Sequence, residues 1–301
     1  MVVVFGTVCL DRVHRVPFWP QPGGYAECGD EQLVLGGEAA NTALALKEWG
    51  AEFELYGNAL GSDLEAEIVL QKAHAVGLPT NALQLIAART PVCDIYVTPE
   101  GERSMIGRGF SQMDDYTLID SMQLYPGEWF TAEPNCATVS RNAVRKAISA
   151  NMKLYLMDFI HEDEPITPGS YWQSSTDWAG VRNDADRSIG WAKEWSIRYR
   201  CHTIITDGDN GLYYCSPEGL TRLFPAFPCP LSVDSTGAGD TFRAGVLYGL
   251  DQGWSTEKSL RFGSAAGCLA CGYIGATTTI PSVAQVNALI AAHPEICRSY
   301  A

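Results

Sequence analysis

The chain has 301 residues, 46% of them hydrophobic and 19% charged. That apolar mass excludes global disorder, and the length admits one large α/β domain or ~2 units of roughly 150 residues. Its 21 Lys and Arg against 35 Asp and Glu leave a net charge of −14, which argues against nucleic-acid or anionic-membrane binding because phosphates would be repelled. A small phosphate ligand held locally by backbone N–H groups stays open. The opening Met1-Val-Val-Val-Phe5 reads as a buried first strand. It lacks a basic leader and a cleavage site, and Asp11-Arg12 cuts the apolar run short. No window approaches the ~18–20 apolar residues of a membrane span. In chain order, the pattern then predicts an almost wholly apolar, buried helix over 41–49, a strand over 53–56, and a helix over 63–75 opened by Ser62-Asp63 and closed by Gly77. Short strands follow at 129–132, 154–157 and 203–205, with helices at 187–199, 239–250, 260–273 and 283–292. This alternation predicts a parallel α/β sheet. Two segments, 26–35 and 92–105, look like antiparallel strands with a turn at Pro99-Glu-Gly101, and are read as a small β sheet projecting as a lid. The polar stretch 161–180 is read as a long surface loop. The ten Cys are scattered, and only Cys268-Leu-Ala-Cys271 is closely spaced. With no second pair or nearby His, buried thiols in a reducing cytoplasm are expected rather than a zinc site.

The most informative stretch is Val233-Asp-Ser-Thr-Gly-Ala-Gly-Asp-Thr-Phe-Arg-Ala-Gly245. A turn-forming Asp-Ser-Thr leads into Gly237-Ala238-Gly239 and then a helix. Small residues let a ligand approach the backbone, and the first helical N–H groups point outward unpaired. Together with the positive end of the helix dipole they make an anion hole. Asp240 sits in the first turn beside it. An Asp at such a place can simply cap the helix, but a cap does not need three small residues before it, and a phosphate does. An Asp near an anion hole can act as general base toward a hydroxyl, leaving phosphoryl transfer to positioning and charge stabilisation.

A second glycine motif, Leu35-Gly-Gly-Glu-Ala-Ala-Asn41, runs from the lid into the buried helix. Gly36-Gly37 permits close backbone approach, and Asn41 offers a donor and an acceptor, unless it is only a helix cap. Asp11 lies just past the first strand, at the edge where open α/β sheets bind ligands, or is a turn residue. A P-loop, a protein-kinase catalytic loop and a dinucleotide fingerprint are all missing.

These motifs resemble those of the ribokinase-like (PfkB) carbohydrate kinases, over most of the chain. Asp234-Ser-Thr-Gly-Ala-Gly-Asp240-Thr-Phe-x-Ala-Gly245 is similar to the family's C-terminal motif, and Gly36-Gly37-x-x-x-Asn41, followed by Gly50 and Gly61, to its N-terminal one. The resemblance implies one ribokinase-like domain over 1–301, a central mostly parallel sheet flanked by helices, with lid strands inserted at about 12–36 and 90–108. It implies transfer of the γ-phosphoryl of ATP to a hydroxyl of a sugar or sugar-like molecule, with Mg²⁺. Asp240 would be the base, and the Gly237, Ala238 and Gly239 amides would hold the transferring group. Asp11, Gly37 and Asn41 would bind substrate hydroxyls. Thr206 and Gly208, in Thr206-Asp-Gly208-Asp-Asn-Gly211, would lie along the nucleotide, with Asn183 and Ser264 also on its side. Asp186, in the element Asn183-Asp-Ala-Asp186, would serve Mg²⁺ largely through water, with Asp184 as competitor. Asp234 and the loop 272–277 resemble a site for a monovalent cation such as K⁺. The family's middle Asp-x-Asn-x-Arg survives only as Asp158, and Glu133 is either a substrate contact or a solvated surface residue. A nucleoside kinase of the same family and a catalytically idle sugar- or nucleotide-binding relative are the alternatives. Lid edges can pair between subunits, which admits a homodimer.

Overall fold

The computed structural model describes residues 1–99, 101, 103–110, 118–161, 163–178, 180, 184–229 and 232–300. Its first strand, β1 (Val2–Gly6), shows how the core is built. Val2, Val3, Val4 and Phe5 have no solvent exposure. Val2 and Val4 join one apolar cluster, while Val3 and Phe5 join another on the opposite face. A strand buried on both faces reads as an unbroken apolar run, as parallel sheets demand. β1 pairs in parallel with β4 (Phe53–Gly57) on one side and β7 (Trp129–Ala132) on the other, placing Val2 opposite both Phe53 and Trp129.

The eight-stranded sheet has the order β12-β11-β10-β9-β8-β7-β1-β4. β8 (Lys153–Met157), β9 (Tyr171–Ser175) and β10 (His202–Thr206) continue the parallel array, and the hairpin of β11 (Leu212–Cys215) and β12 (Thr221–Phe224) closes one edge antiparallel. Helices α1 (Glu38–Glu48), α5 (Ala238–Asp251), α6 (Thr256–Ala270) and α7 (Val283–Ala292) contribute to the first cluster. So does α2 (Leu64–Ala75), whose N-cap Asp63 accepts from the Ala66 N–H. Helices α3 (Ala137–Ser149) and α4 (Ala185–Tyr199) contribute to the second, and a short α8 (Pro294–Cys297) follows α7. Because the central strands are parallel, their carboxyl ends share one edge of the sheet. Thr7, Asn58, Glu133, Asp158 and Asp207 each follow one of these strand ends.

The lid is a separate four-stranded sheet, ordered β3-β2-β5-β6. β2 (Cys9–Arg15) runs antiparallel to β3 (Glu31–Gly36) and parallel to β5 (Val92–Val97), which pairs with β6 (Arg103–Arg108). Val13, Val34, Ile95 and Val97 form its own small core.

Four expectations change. The strand expected over 26–35 is confined to Glu31–Gly36, and Asp11 lies within lid strand β2 rather than in a turn after β1. The stretch 161–180 is not one surface loop: it contains β9, between β8 and β10. Composition hides this strand because its polar side chains are buried and bonded, Gln173 to the Tyr155 hydroxyl and Ser174 to Asp158. Helix α3 and the β11–β12 hairpin also went unpredicted. Of the ten cysteines, all thiols, four are buried and Cys28 is exposed, so buried thiols describe only part of the set.

Candidate active site

Gly237 caps α5 with φ 76°, a left-handed conformation that glycine adopts without steric cost. The turn exposes the start of the helix. The Ala238 N–H is used within the turn, donating to the Ser235 carbonyl at 3.2 Å. The N–H groups of Gly237 and Gly239 find no partner among the described residues. Of the three amides expected to hold an anion, two are therefore open and one is engaged. Gln173, which the sequence did not single out, fixes this turn by donating from Nε2 to the Gly239 carbonyl at 3.2 Å.

Asp240 lies in the first turn of α5 and is 6% exposed. Its Oδ2 accepts from Asn41 Nδ2 at 2.7 Å, and its Oδ1 pairs with Arg243 Nη2 at 3.3 Å. Burial pushes its carboxyl up from 3.8 to about 6, with Arg243 and Asn41 pulling it down. Since Asn41 Nδ2 faces a carboxylate, Asn41 Oδ1 faces away, and this buried atom has no partner among the described residues. It is a free acceptor beside the acid.

Gly37 caps α1 with φ 98°, and a Cβ there would strike the Thr7 carbonyl. At Gly36 a Cβ would land on the Asp11 carboxyl. The glycine pair is thus what lets lid strand β2, helix α1 and the Asp11 acid meet. Asp11 is buried, and desolvation raises it to about 7. Its ionised form is disfavoured by Asp240 and Asp234 and favoured by Arg103 of β6. Arg103 also favours ionised Asp240, so the lid brings a positive charge to the site that no motif announced.

Asp158 sits after β8 in a left-handed conformation, φ 60°, accepting from the Ser174 hydroxyl at 2.6 Å. Burial lifts it to about 7. Glu133 is neither solvated nor open. It is fully buried, with Oε1 accepting from the Thr7 N–H and Oε2 from Asn135 N at 2.7 Å. Asn135 Nδ2 in turn donates to Glu38 Oε1 at 2.9 Å. Burial drives Glu38 well above the ordinary carboxylate range.

The sign of the resulting pH dependence is fixed. Asp11, Asp158 and Asp240 hold their protons more tightly when folded than when unfolded, so their contribution to stability is fully present below about pH 4 and lost as pH rises through 6–7. The free protein is expected to melt at a higher temperature at pH 5 than at pH 8. Asp158→Asn keeps the acceptor for Ser174 and suits the left-handed backbone. It should raise Tm at pH 8 by about 2–4 °C and leave Tm near pH 4 unchanged. Differential scanning fluorimetry across this range checks both, and a gain that persists at pH 4 would contradict the linkage.

Asp234 is 1% exposed. Its Oδ1 accepts from Thr236 N at 2.9 Å and Oγ1 at 2.6 Å, and its Oδ2 from Gly275 N at 2.8 Å. It ties the glycine turn to the loop 272–277. Thr206 ends β10, with Oγ1 donating to the Ser174 carbonyl at 3.4 Å, and Gly208 opens the next turn with φ 52°. Asp209 of that turn borders a cleft of about 600 Å³ shared with Ala226, Phe227, Cys229, His293 and Ile296. Ser264, on α6, lies near the buried Tyr300 hydroxyl, which donates to the Pro225 carbonyl at 3.1 Å. Asn183 lies outside the described residues. Asp184 caps α4 by accepting from Arg187 N at 2.9 Å, which occupies one of its oxygens, while Asp186 stands exposed in the first turn. Among the described residues no cluster of three or more metal-ligating side chains forms.

Comparison with known proteins bears on the family and the fold. The family model for pfkB family carbohydrate kinases matches residues 1–118 and 176–283. An uncharacterized sugar kinase of Dictyostelium discoideum is 30% identical, covering 95% of this chain and 96% of its own. Among solved structures, a Burkholderia thailandensis nucleoside kinase in complex with inosine superposes with TM-score 0.79 at 19% identity, covering 98% of this chain and 99% of that one. An Arabidopsis thaliana ribokinase complexed with ribose and ATP does so with TM-score 0.73 at 18% identity, covering 96% and 98%. With its ribokinase-like fold, its two glycine motifs meeting at Asp240 and this breadth of match, the chain belongs to the pfkB family of carbohydrate kinases, enzymes that carry phosphoryl groups from ATP to sugar hydroxyls.

Proposed function

We propose that this kinase uses Asp240 to take the proton from an attacking hydroxyl while the amides at the start of α5 receive the negative charge of the transferring phosphoryl group. One observation carries the reading: a buried carboxylate with a raised pKa stands one residue after an exposed glycine N–H at a helix N-terminus. A base near pH 6 is ionised at neutral pH yet still basic enough to accept a proton. The N–H groups are already aimed, so they need no reorganisation as charge develops. Asn41, through its unpartnered Oδ1, and Asp11 orient the substrate hydroxyls, with Gly37 keeping the backbone clear. Ala238 joins Gly237 and Gly239 once its long bond to Ser235 is exchanged for the phosphate.

The nucleotide lies along Thr206 and Gly208, toward the cleft at Asp209, with Asn183 and Ser264 on the same side. Asp186 contacts Mg²⁺ through water; the ion, when bound, neutralises phosphate charge. Asp234 and its loop hold a monovalent cation such as K⁺. The chain works as one domain with lid strands at about 12–36 and 90–108, in the cytoplasm, where ten thiols stay reduced. Among the described residues no helix is long and apolar enough to cross a membrane, and the net charge of −14 disfavours nucleic acid. The exposed Met105 and Ile106 on strand β6 support a homodimer through the lid.

The substrate is a sugar or a nucleoside, and a panel of free sugars, sugar acids and nucleosides incubated with Mg-ATP tests this by ADP release. Turnover with at least one sugar is expected, faster in K⁺ than in choline buffer, from a protein that sediments as a dimer. Turnover confined to nucleosides would transfer the reading to the nucleoside branch. Binding without ADP release would make the chain an idle relative and overturn the assignment of Asp240.

A further inference from the structure

The motif that carries Asp240 also contains a charged residue, Arg243, to which neither the resemblance nor the proposed mechanism gives a task. Arg243 follows Phe242, one turn after the acid, and has no solvent exposure. Among the described residues it is the one Lys or Arg that is fully buried. A buried guanidinium is costly unless it is paired and hydrogen-bonded. Arg243 spends two of its three nitrogens on the start of α1: Nε donates to Thr42 Oγ1 at 2.9 Å and Nη2 to the Glu38 carbonyl at 2.7 Å, while Nη1 has no hydrogen-bond partner among the described residues. Thr42 Oγ1 passes the bond on to the same carbonyl at 2.8 Å. Nη2 also reaches Asp240 Oδ1 at 3.3 Å, the i,i+3 spacing that brings two side chains of one helix together. On the far side of the acid, Asn41 of α1 holds Oδ2. Asp240 is therefore gripped from both sides, by two residues that each engage α1.

We propose that Arg243 is the positioning residue for Asp240: it locks the carboxylate against the first turn of α1 and supplies the buried positive charge that offsets the acids around it. Those acids come from every element packed nearby. Glu133 follows β7, and its charge opposes ionisation of Asp240. Asp11 of β2, Glu38 of α1 and Asp158 after β8 each repel the Asp240 charge in turn. Against these stand two cations. Arg103 is on the exposed lid strand β6, where water screens it, whereas Arg243 is sealed in beside the acid. Removing Arg243 leaves the base facing acids with only the lid charge to help. A lysine would keep a charge there but lose the planar fork that reaches Thr42, Glu38 and Asp240 together.

The inference rests on Asp240 being the base, and pH profiles of kcat/KM separate the two ideas, because the acid limb reports the base of the free enzyme. Arg243→Met should move that limb upward by about one pH unit or more, a roughly tenfold loss at pH 6 for each unit, with much of the activity returning by pH 9. Arg243→Lys should leave the limb near its wild-type position and lower kcat several-fold. Arg243→Gln, which keeps a donor and drops the charge, carries the expectation of R243M should the methionine variant not fold. An R243M or R243Q loss that is uniform from pH 5.5 to 9.5, or an R243K limb displaced as far as theirs, overturns the positioning role. If Asp240→Asn keeps turnover and the acid limb, the base assignment itself fails. If D240N is inactive but R243M retains the wild-type limb, only the role of Arg243 fails.

Discussion

Asp240→Asn is expected to lower kcat by on the order of 10²–10⁴-fold, the usual contribution of a general base, while Mg-ATP still binds and the far-UV circular dichroism is unchanged. Asparagine has nearly the same shape. Its carbonyl can take either of the two bonds that the carboxylate accepts, from Asn41 at 2.7 Å or from Arg243 at 3.3 Å. What disappears is the site that takes the proton. In the wild type, a carboxyl near 6 puts the acid limb of kcat/KM close to pH 6, with activity rising as pH rises through it. In D240N that limb should vanish. ADP release under saturating substrate measures the first effect and a pH series the second. Turnover within a few-fold of wild type would remove Asp240 from the chemistry.

Gly237→Ala should be nearly as damaging, for a reason rooted in backbone geometry. At φ 76° an L-residue costs roughly 1–2 kcal/mol. In addition, the new methyl would strike Ala276 Cβ, in the loop that Asp234 secures through Gly275. Either the loop or the turn must yield, and the Gly237 and Gly239 N–H groups turn with it. Loss of aimed donors of this kind typically lowers kcat by about 10²–10³-fold. The expected variant binds sugar, because Asp11 and Gly37 are untouched, yet turns over poorly and melts earlier. Steady-state kinetics with a melting curve checks both parts. A G237A enzyme with wild-type kcat would show that these amides do not meet the phosphate.

The parts of the fold that were legible are those whose burial is purely apolar. The run Val2–Gly6 and the apolar stretch Ala43–Leu46 of α1 announce themselves. Strand β9 does not, since Gln173 and Ser174 are buried through hydrogen bonds rather than through hydrophobicity, and composition cannot distinguish a satisfied polar residue from a solvated one. The same limit governs the site. Asp240, Asn41 and the glycines stand in spacings that only a ligand-binding turn requires, so they could be picked out. Glu133 and Arg243 are ordinary residues in sequence. Their roles come from partners 126 and 201 positions away, at Thr7 and Thr42. The i,i+3 spacing of Asp240 and Arg243, together with an arginine amid apolar helix residues, was the one local hint. Gln173 and Arg103 carried none.

The bond between Asn41 and Asp240 spans 199 residues, and this separation sets a clock on biosynthesis. At about 5–20 residues per second of translation, α1 leaves the ribosome roughly 10–40 s before α5 exists. During that interval α1 can settle on β1 and β4, but Asn41 and Thr42 still lack their partners Asp240 and Arg243 of α5. Closing so long a loop must precede any gain from the contacts it makes. Competence to phosphorylate therefore arrives last, as the C-terminal third seals against the first helix, and a nascent chain halted before that point carries a half-made pocket that still lacks Asp240.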